Sequence, residues 1–224
     1  FIRQLRDDVR GAREDYRRAV AIDPHSAEAW HRLGALLTLP GEQSDAVAAF
    51  LHAIALEPDR AVSYSDLTWT LLQQGRVAEA TFWSDSLVAF APEHRYGWYA
   101  RLAVRLMQRD VRGARAAFDR IAPEFRPFFW NVTADLLMME GDTAGARRVV
   151  AQVPGWLRGP VYDTVSRLLL GDREGALNAL ANTPPSASRI SLNLTGAFLL
   201  GGRFDARGDP RYERYKAACE AALR

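Results

Sequence analysis

The sequence predicts an all-α fold, a solenoid of antiparallel helix pairs. Three observations carry that prediction. Alanine recurs at Ala12, Ala46, Ala80 and Ala114, each 34 residues after the last. Pro24, Pro58 and Pro92 form a second comb at the same interval. Inside each period the apolar residues fall three or four apart, the spacing of one helix face. A fixed period of this size is the mark of stacked helical pairs, because each pair must meet its neighbour in the same way.

The unit at 27–60 is the cleanest. Its first helix, helix A, carries Trp30, Leu33, Gly34 and Leu37, apolar on one face except where Gly34 admits a neighbouring helix. Pro40-Gly41 stops it, with glycine suited to a left-handed C-terminal cap. Its second helix, helix B, follows with Ala46, Phe50 and Ala53, small residues for close approach and a ring to fill the space between. Pro58 ends the pair.

The unit at 61–94 repeats this with Tyr64, Leu67, Leu71, Gly75, Ala80, Leu87 and Pro92, and differs at Thr68 and Ser84. Trp83, beside Ser84, is expected to supply the missing bulk. The first unit, 1–26, is cut short to the end of a helix A and a full helix B with Ala12, Tyr16 and Ala19. Its Asp8-Val9-Arg10-Gly11-Ala12-Arg13 returns as Asp110-Val111-Arg112-Gly113-Ala114-Arg115, a direct internal duplication. The fourth unit reads as Tyr99, Leu102, Ala103 and Leu106, with a turn to Asp110 one residue shorter.

After Ala114 the combs contract. Ala146 and Ala176 follow at 32 and 30, and Gly141-Asp142 and Gly171-Asp172 mark the turn between helices A and B. Prolines continue at Pro123, Pro154 and Pro184, and the Ala-to-Pro interval falls from 12 to 9, 8 and 8. That removes about one turn from helix B while keeping its phase, and altered curvature is expected near Pro123. The organisation predicted is a truncated unit at 1–26, regular units at 27–122, shortened pairs at 123–186, and C-terminal helices and a cap at 187–224. The last part comprises a Pro/Ser-rich connector, an apolar helix at about 190–200, and a terminal helix polar on one side, as a solenoid cap must be.

Trp30, Leu33, Gly34, Ala46, Phe50, Ala53 and Pro58 resemble the tetratricopeptide repeat (TPR) pattern W-x2-L-G-x2-Y, A-x3-F, A and P, with Leu37 in the Tyr place. The resemblance implies a right-handed superhelical α-solenoid, about six units plus a capping helix. Phe204-Asp205-Ala206-Arg207-Gly208-Asp209-Pro210-Arg211-Tyr212 resembles a closing segment of TPR regions in bacterial serine/threonine kinases and TPR-bearing transcriptional regulators, one residue and a Leu short of it.

The resemblance also implies a concave groove lined by helix A. In the unit at 27–60 the groove positions are His31, Arg32, Ala35, Thr38 and Leu39, and in the next unit Ser65, Asp66, Trp69, Leu72 and Gln73. In the register-shifted fourth unit they are Ala100, Val104, Met107 and Gln108. The family's carboxylate clamp needs Lys and Asn here, so His31 and Ala35 disfavour that ligand class. Trp69 is the expected anchor, a large ring with a polar edge, and the competing role for it is packing between units. Trp83, Trp98, Trp130 and Trp156 fall nearer core or turn positions.

Bulk composition agrees with a recognition module. Hydrophobic residues make up 48% and charged residues 25%, enough to bury a continuous core. Twenty-nine basic residues against 27 acidic ones give a net charge of +2, which argues against a general phosphate-binding surface, and no nucleic-acid partner is expected. The densest basic stretch, Arg3, Arg6, Arg10, Arg13, Arg17 and Arg18, reads first as a solvated helix face paired with Asp7, Asp8, Glu14 and Asp15. Cys219 stands alone, so no intramolecular disulfide can form. His25, His31, His52 and His94 lack metal-ligand spacing, no catalytic motif stands in the sequence, and no cofactor is expected.

The expectation is a non-catalytic protein–protein interaction module that takes a protein or peptide ligand in its groove. It is expected to be cytoplasmic, with no membrane-spanning segment. Because the chain opens at Phe1 in mid-helix style, it is also expected to be part of a longer bacterial protein with a catalytic or DNA-binding domain attached. The alternative is an accessory or assembly subunit, its solenoid held inside a multiprotein complex.

Overall fold

The computed structural model describes residues 9–38, 42–158, 162–184 and 208–221. Leu39, the Pro40-Gly41 stop, the expected helix at 190–200 and Phe204–Arg207 of the closing segment lie outside them.

The described residues form α-helices and short 3-10 turns, with no strand among them. The helices are α1 (Val9–Ile22), α2 (Ala27–Leu36), α3 (Gln43–Leu56), α4 (Ala61–Gln73), α5 (Val77–Phe90), α6 (Arg95–Met107), α7 (Val111–Asp119), α8 (Trp130–Met139), α9 (Thr143–Ala151), α10 (Tyr162–Leu169), α11 (Arg173–Ala181) and α12 (Pro210–Ala221). Contacts run overwhelmingly between chain neighbours: α2 on α3, α4 on α5, α6 on α7, α8 on α9 and α10 on α11. Successive A helices, α4 with α6 and α8 with α10, also touch. This is an all-α solenoid.

The alanine comb marks where helix B enters the pair. Ala46, Ala80, Ala114, Ala146 and Ala176 are fully buried and Ala12 nearly so. Helix B has 14 residues in α3 and α5 and 9 in α7, α9 and α11, the shortening that the Ala-to-Pro interval predicts. Loss of that length changes the connectors. Where α3 leads to α4 through Pro58, α7 leads to α8 through a 3-10 segment, Pro123–Phe129, and α9 is followed by another, Gly155–Leu157. The core divides at the same place. One cluster runs from Leu33 to Leu136 and a second from Ala134 to Tyr215, so they meet on α8.

The A–B turns share one construction. Gly75, Gly141 and Gly171 adopt positive φ (73°, 85° and 84°), and Arg109 takes the same place at 59°. Each turn closes by a 6→1 hydrogen bond: Arg76 N to Leu71 O, Asp110 N to Arg105 O, Asp142 N to Leu137 O and Asp172 N to Arg167 O, all 2.9 Å. In the shortened units the next residue is an N-cap. Asp110, Asp142 and Asp172 accept from the backbone N–H of Gly113, Gly145 and Gly175 at 2.9, 2.7 and 2.9 Å. A Cβ at any of those glycines would run into the capping carboxylate. Asp-x-x-Gly therefore starts helix B in each shortened unit.

The cap of the solenoid is α12 against α11. Arg211 donates to Glu174 Oε2 (3.1 Å), Asn178 Oδ1 (2.8 Å) and Asp209 Oδ2 (2.9 Å), and Tyr215 is buried beside them. The Arg211 guanidinium and the local backbone N–H groups hold the Asp209 carboxyl well below its usual range.

Candidate groove on the A helices

Helix A begins where an aromatic residue ties it to the preceding helix B. The indole N–H of Trp30 donates to Pro24 O (2.8 Å), the phenol of Tyr64 to Pro58 O (2.9 Å) and the indole of Trp98 to Pro92 O (2.6 Å). The proline comb keeps the 34-residue period in step with the aromatics Trp30, Tyr64 and Trp98 that bond to it. In the fourth unit two adjacent aromatics share what one does elsewhere. Trp98 makes the proline bond, while Leu102, Ala103 and Leu106 are buried in the register read from Tyr99. Tyr99 is thereby released to lie over Phe129, stacked at 4.0 Å, and against Trp69 at 4.6 Å. Burial pushes the Tyr99 phenol above its ordinary value, and a hydrogen bond with Asn131 opposes that rise.

Two seams between A helices follow. At the α2–α4 seam, His31 is buried, paired with Ser63 at 3.2 Å and facing Asp66 Oδ2 at 3.9 Å. Burial lowers the imidazole's proton affinity below its ordinary value and Asp66 partly restores it, so the ring is held neutral near pH 7. Arg32 donates to Glu28 (2.6 Å), which also binds Arg60. Burial works to raise the Glu28 carboxyl, but the two arginines more than offset it and leave it below its ordinary value. The α4–α6 seam is the Trp69–Tyr99 contact.

The structure thus brings His31 to Asp66 and sets Trp69 on the next helix A. It orders the groove positions by access. Arg32, Asp66, Trp69, Gln73 and Met107 are half-buried. Ser65, Thr38 and Val104 are buried, as are Ala35, Leu72 and Ala100. Thr38 turns its hydroxyl onto Ala35 O (3.0 Å). Gln108 is exposed and donates to Thr81 Oγ1 on α5 (2.9 Å), which draws it toward the preceding helix B.

No family model and no curated protein matches the sequence. Among solved structures, a tetratricopeptide repeat protein from Parabacteroides merdae is similar with a TM-score of 0.65 at 14% identity, over 86% of this chain and 78% of that one. The fold is TPR-like.

In this TPR-like fold Gly34 has the role its motif position implies. A Cβ there would lie 2.9 Å from the Phe50 ring. One period on, Thr68 and Ser84 hold the same two positions, both fully buried. The space a ring fills in one unit is divided between two modest side chains in the next, and Trp83 adds an edge against Tyr64 at 5.6 Å. Sequence reasoning missed the Asp-x-x-Gly caps and the seam formed by His31 and Ser63. The caps had a signal in the repeated Asp-to-Gly spacing, whereas the seam had none. Of the basic N-terminal stretch, Arg13 bridges to Glu42 (2.8 Å) and Arg18 pairs with Asp15, while Arg3 and Arg6 lie outside the described residues. Among the described residues no helix is long and apolar enough to cross a membrane.

Proposed function

We propose that this chain is a non-catalytic protein–protein interaction module. It binds a peptide or protein surface along its A helices, as the partner-binding part of a larger bacterial regulatory protein. The observation that carries the reading is the line of half-buried Arg32, Asp66, Trp69, Gln73 and Met107 on three consecutive A helices. These side chains combine one aromatic anchor with charged and amide groups. Such a mixture orients a ligand without catalysing a reaction on it. The Trp69–Tyr99 contact holds the anchor in one orientation, so little freedom is lost when a partner docks. Glu28 does the same for Arg32 and is itself held by Arg60.

The test uses residues whose removal leaves the core intact. Asp66→Ala and Gln73→Ala together should abolish capture of the partner that the native chain retains from the source bacterium, with helicity unchanged. Unchanged capture would count against the groove.

One observation favours the assembly-subunit reading as a second possibility. Phe128 and Trp156 are 50% and 72% exposed, and they meet edge-to-face at 5.6 Å across the two 3-10 connectors of the shortened half. Exposed aromatics of this size mark contact surfaces. Under that reading Phe128→Ser with Trp156→Ser disrupts complex assembly while Asp66→Ala and Gln73→Ala do not.

A further inference from the structure

A basic cleft lies on the other side of α6. Trp98 and Met107 are nine residues apart, about half a turn out of phase, so the face that carries Trp98, Arg101 and Arg105 points away from Met107. Those three residues, with Gly113 and Ala116 of α7, its N-cap Asp110 and its C-cap Arg120, line an open cleft of about 480 Å³. Arg120 lies over the Trp98 ring at 4.8 Å and Arg101 lies over it at 5.6 Å. Trp98 is itself fixed by its bond to Pro92 O.

The arginines already take a carboxylate. Asp85, on α5, reaches Arg101 at 3.3 Å and Arg105 at 3.8 Å, while the tight bond of Arg105 is to Gln108 at 3.0 Å. Asp110 Oδ2 is 3.9 Å from Arg105, while its Oδ1 caps Gly113 at 2.9 Å. Three guanidiniums thus face two aspartates.

The internal duplication offers a comparison for the cleft. After the shared hexapeptide the first copy continues Glu14-Asp15-Tyr16-Arg17-Arg18, and the second continues Ala116-Ala117-Phe118-Asp119-Arg120. In the first copy Arg18 pairs with Asp15. In the second, the residue at that place is Ala117, and Arg120 lies on Trp98 instead. Glu14 and Asp15 correspond to Ala116 and Ala117 at the cleft, while Arg17 corresponds to Asp119. The two alanines leave less side-chain volume there, and the net charge of the five residues is the same in both copies.

From these contacts we infer that the cleft of Trp98, Arg101, Arg105 and Arg120 binds an anionic peptide segment, gripping carboxylate or phosphorylated side chains. Guanidiniums held on an aromatic ring present paired donors in a fixed fork, the geometry that planar oxyanions accept bidentately. Their rotamers are set before the ligand arrives, and the positive potential speeds encounter. The cleft lies on the face of α6 away from Met107 and touches the groove positions through the Arg105–Gln108 bond.

The test is fluorescence anisotropy at low salt with labelled hexaglutamate, and in a parallel arm with a phosphoserine peptide of otherwise neutral sequence. The native chain binds one or both, and the arm that binds names the anion. Arg101→Gln with Arg120→Gln weakens binding about tenfold or more. Ala116→Glu, which restores the first-copy acid at an exposed position, does the same and carries the test if the double variant unfolds early. Arg112→Gln, an exposed arginine of α7 outside the cleft, leaves binding within about twofold. Equal losses in Arg112→Gln and the cleft variants, binding that no cleft variant weakens, or no binding in either arm would overturn the proposal. Tighter cleft-dependent binding of single-stranded oligothymidylate than of either peptide would also overturn it.

Discussion

Trp30 donates its indole N–H to the Pro24 carbonyl, six residues earlier, at 2.8 Å. The same bond recurs one and two periods later from Tyr64 and Trp98. It ties α2, α4 and α6 each to the turn that follows the preceding helix B, and a solenoid propagates such a junction from unit to unit. Trp30→Phe keeps the ring and removes the donor. The expected loss is about 0.5–1.5 kcal/mol, read from the denaturant midpoint. A midpoint equal to that of the native chain would show that packing of the ring, including its contact with His52 at 4.4 Å, suffices.

Gly34→Ala places a methyl group 2.9 Å from Phe50. The interior is close-packed, so the ring must shift, and the expected cost is about 1–3 kcal/mol. Gly34→Ala combined with Phe50→Leu should cost less than the sum of the two single changes, because the smaller side chain relieves the clash. Additive costs in that double-mutant cycle would contradict the contact.

Arg109 occupies a left-handed position that glycine fills in the three related turns. A side chain there costs about 1 kcal/mol or more. Arg109→Gly should therefore raise stability by about 0.5–1 kcal/mol after glycine's extra unfolded-state entropy is counted. Gly141→Ala should lower it by a similar amount. Thermal unfolding of both variants reads the two signs directly.

His31 gives the fold a pH dependence. Its folded-state proton affinity is lowered, first by burial, with Arg60 and Arg32 adding to the effect and Asp66 opposing it. The unfolded chain therefore takes up a proton at higher pH than the folded one. Stability contributed by the neutral ring is whole above pH 6.5, the ordinary value, and is lost as pH falls toward the depressed folded value. His31→Gln should flatten the difference in unfolding midpoint between about pH 7 and pH 5. An unchanged slope in that variant would assign the dependence to other groups.

Most of the architecture was legible in the sequence because it depends on a few obligatory residues. A buried alanine and a helix-ending proline cannot drift without breaking the stack, so they stand out at a fixed period. The shortening of helix B was legible for the same reason, as the alanine and the proline bracket it. What escaped depended on residues with several local solutions. Trp98 and Tyr99 are adjacent aromatics, and the sequence cannot say which takes the proline carbonyl and which stacks on Phe129. His31 reads as an open groove position on its own helix; it is instead buried against Ser63 and Asp66, one unit away. Among the groove positions, access is set by how neighbouring A helices lean together, so Asp66 and Gln73 stay half-open while Ser65 and Val104 close.

Placing one photo-crosslinking residue on each side of the solenoid tests the groove most directly. The probe is introduced at Gln73, half-buried on helix A, or at Ala48, exposed on helix B of the preceding unit, and adducts are collected from cells of the source organism. The account predicts a discrete partner adduct from position 73 that disappears with Asp66→Ala, and none from position 48. An adduct from position 48 alone would contradict it.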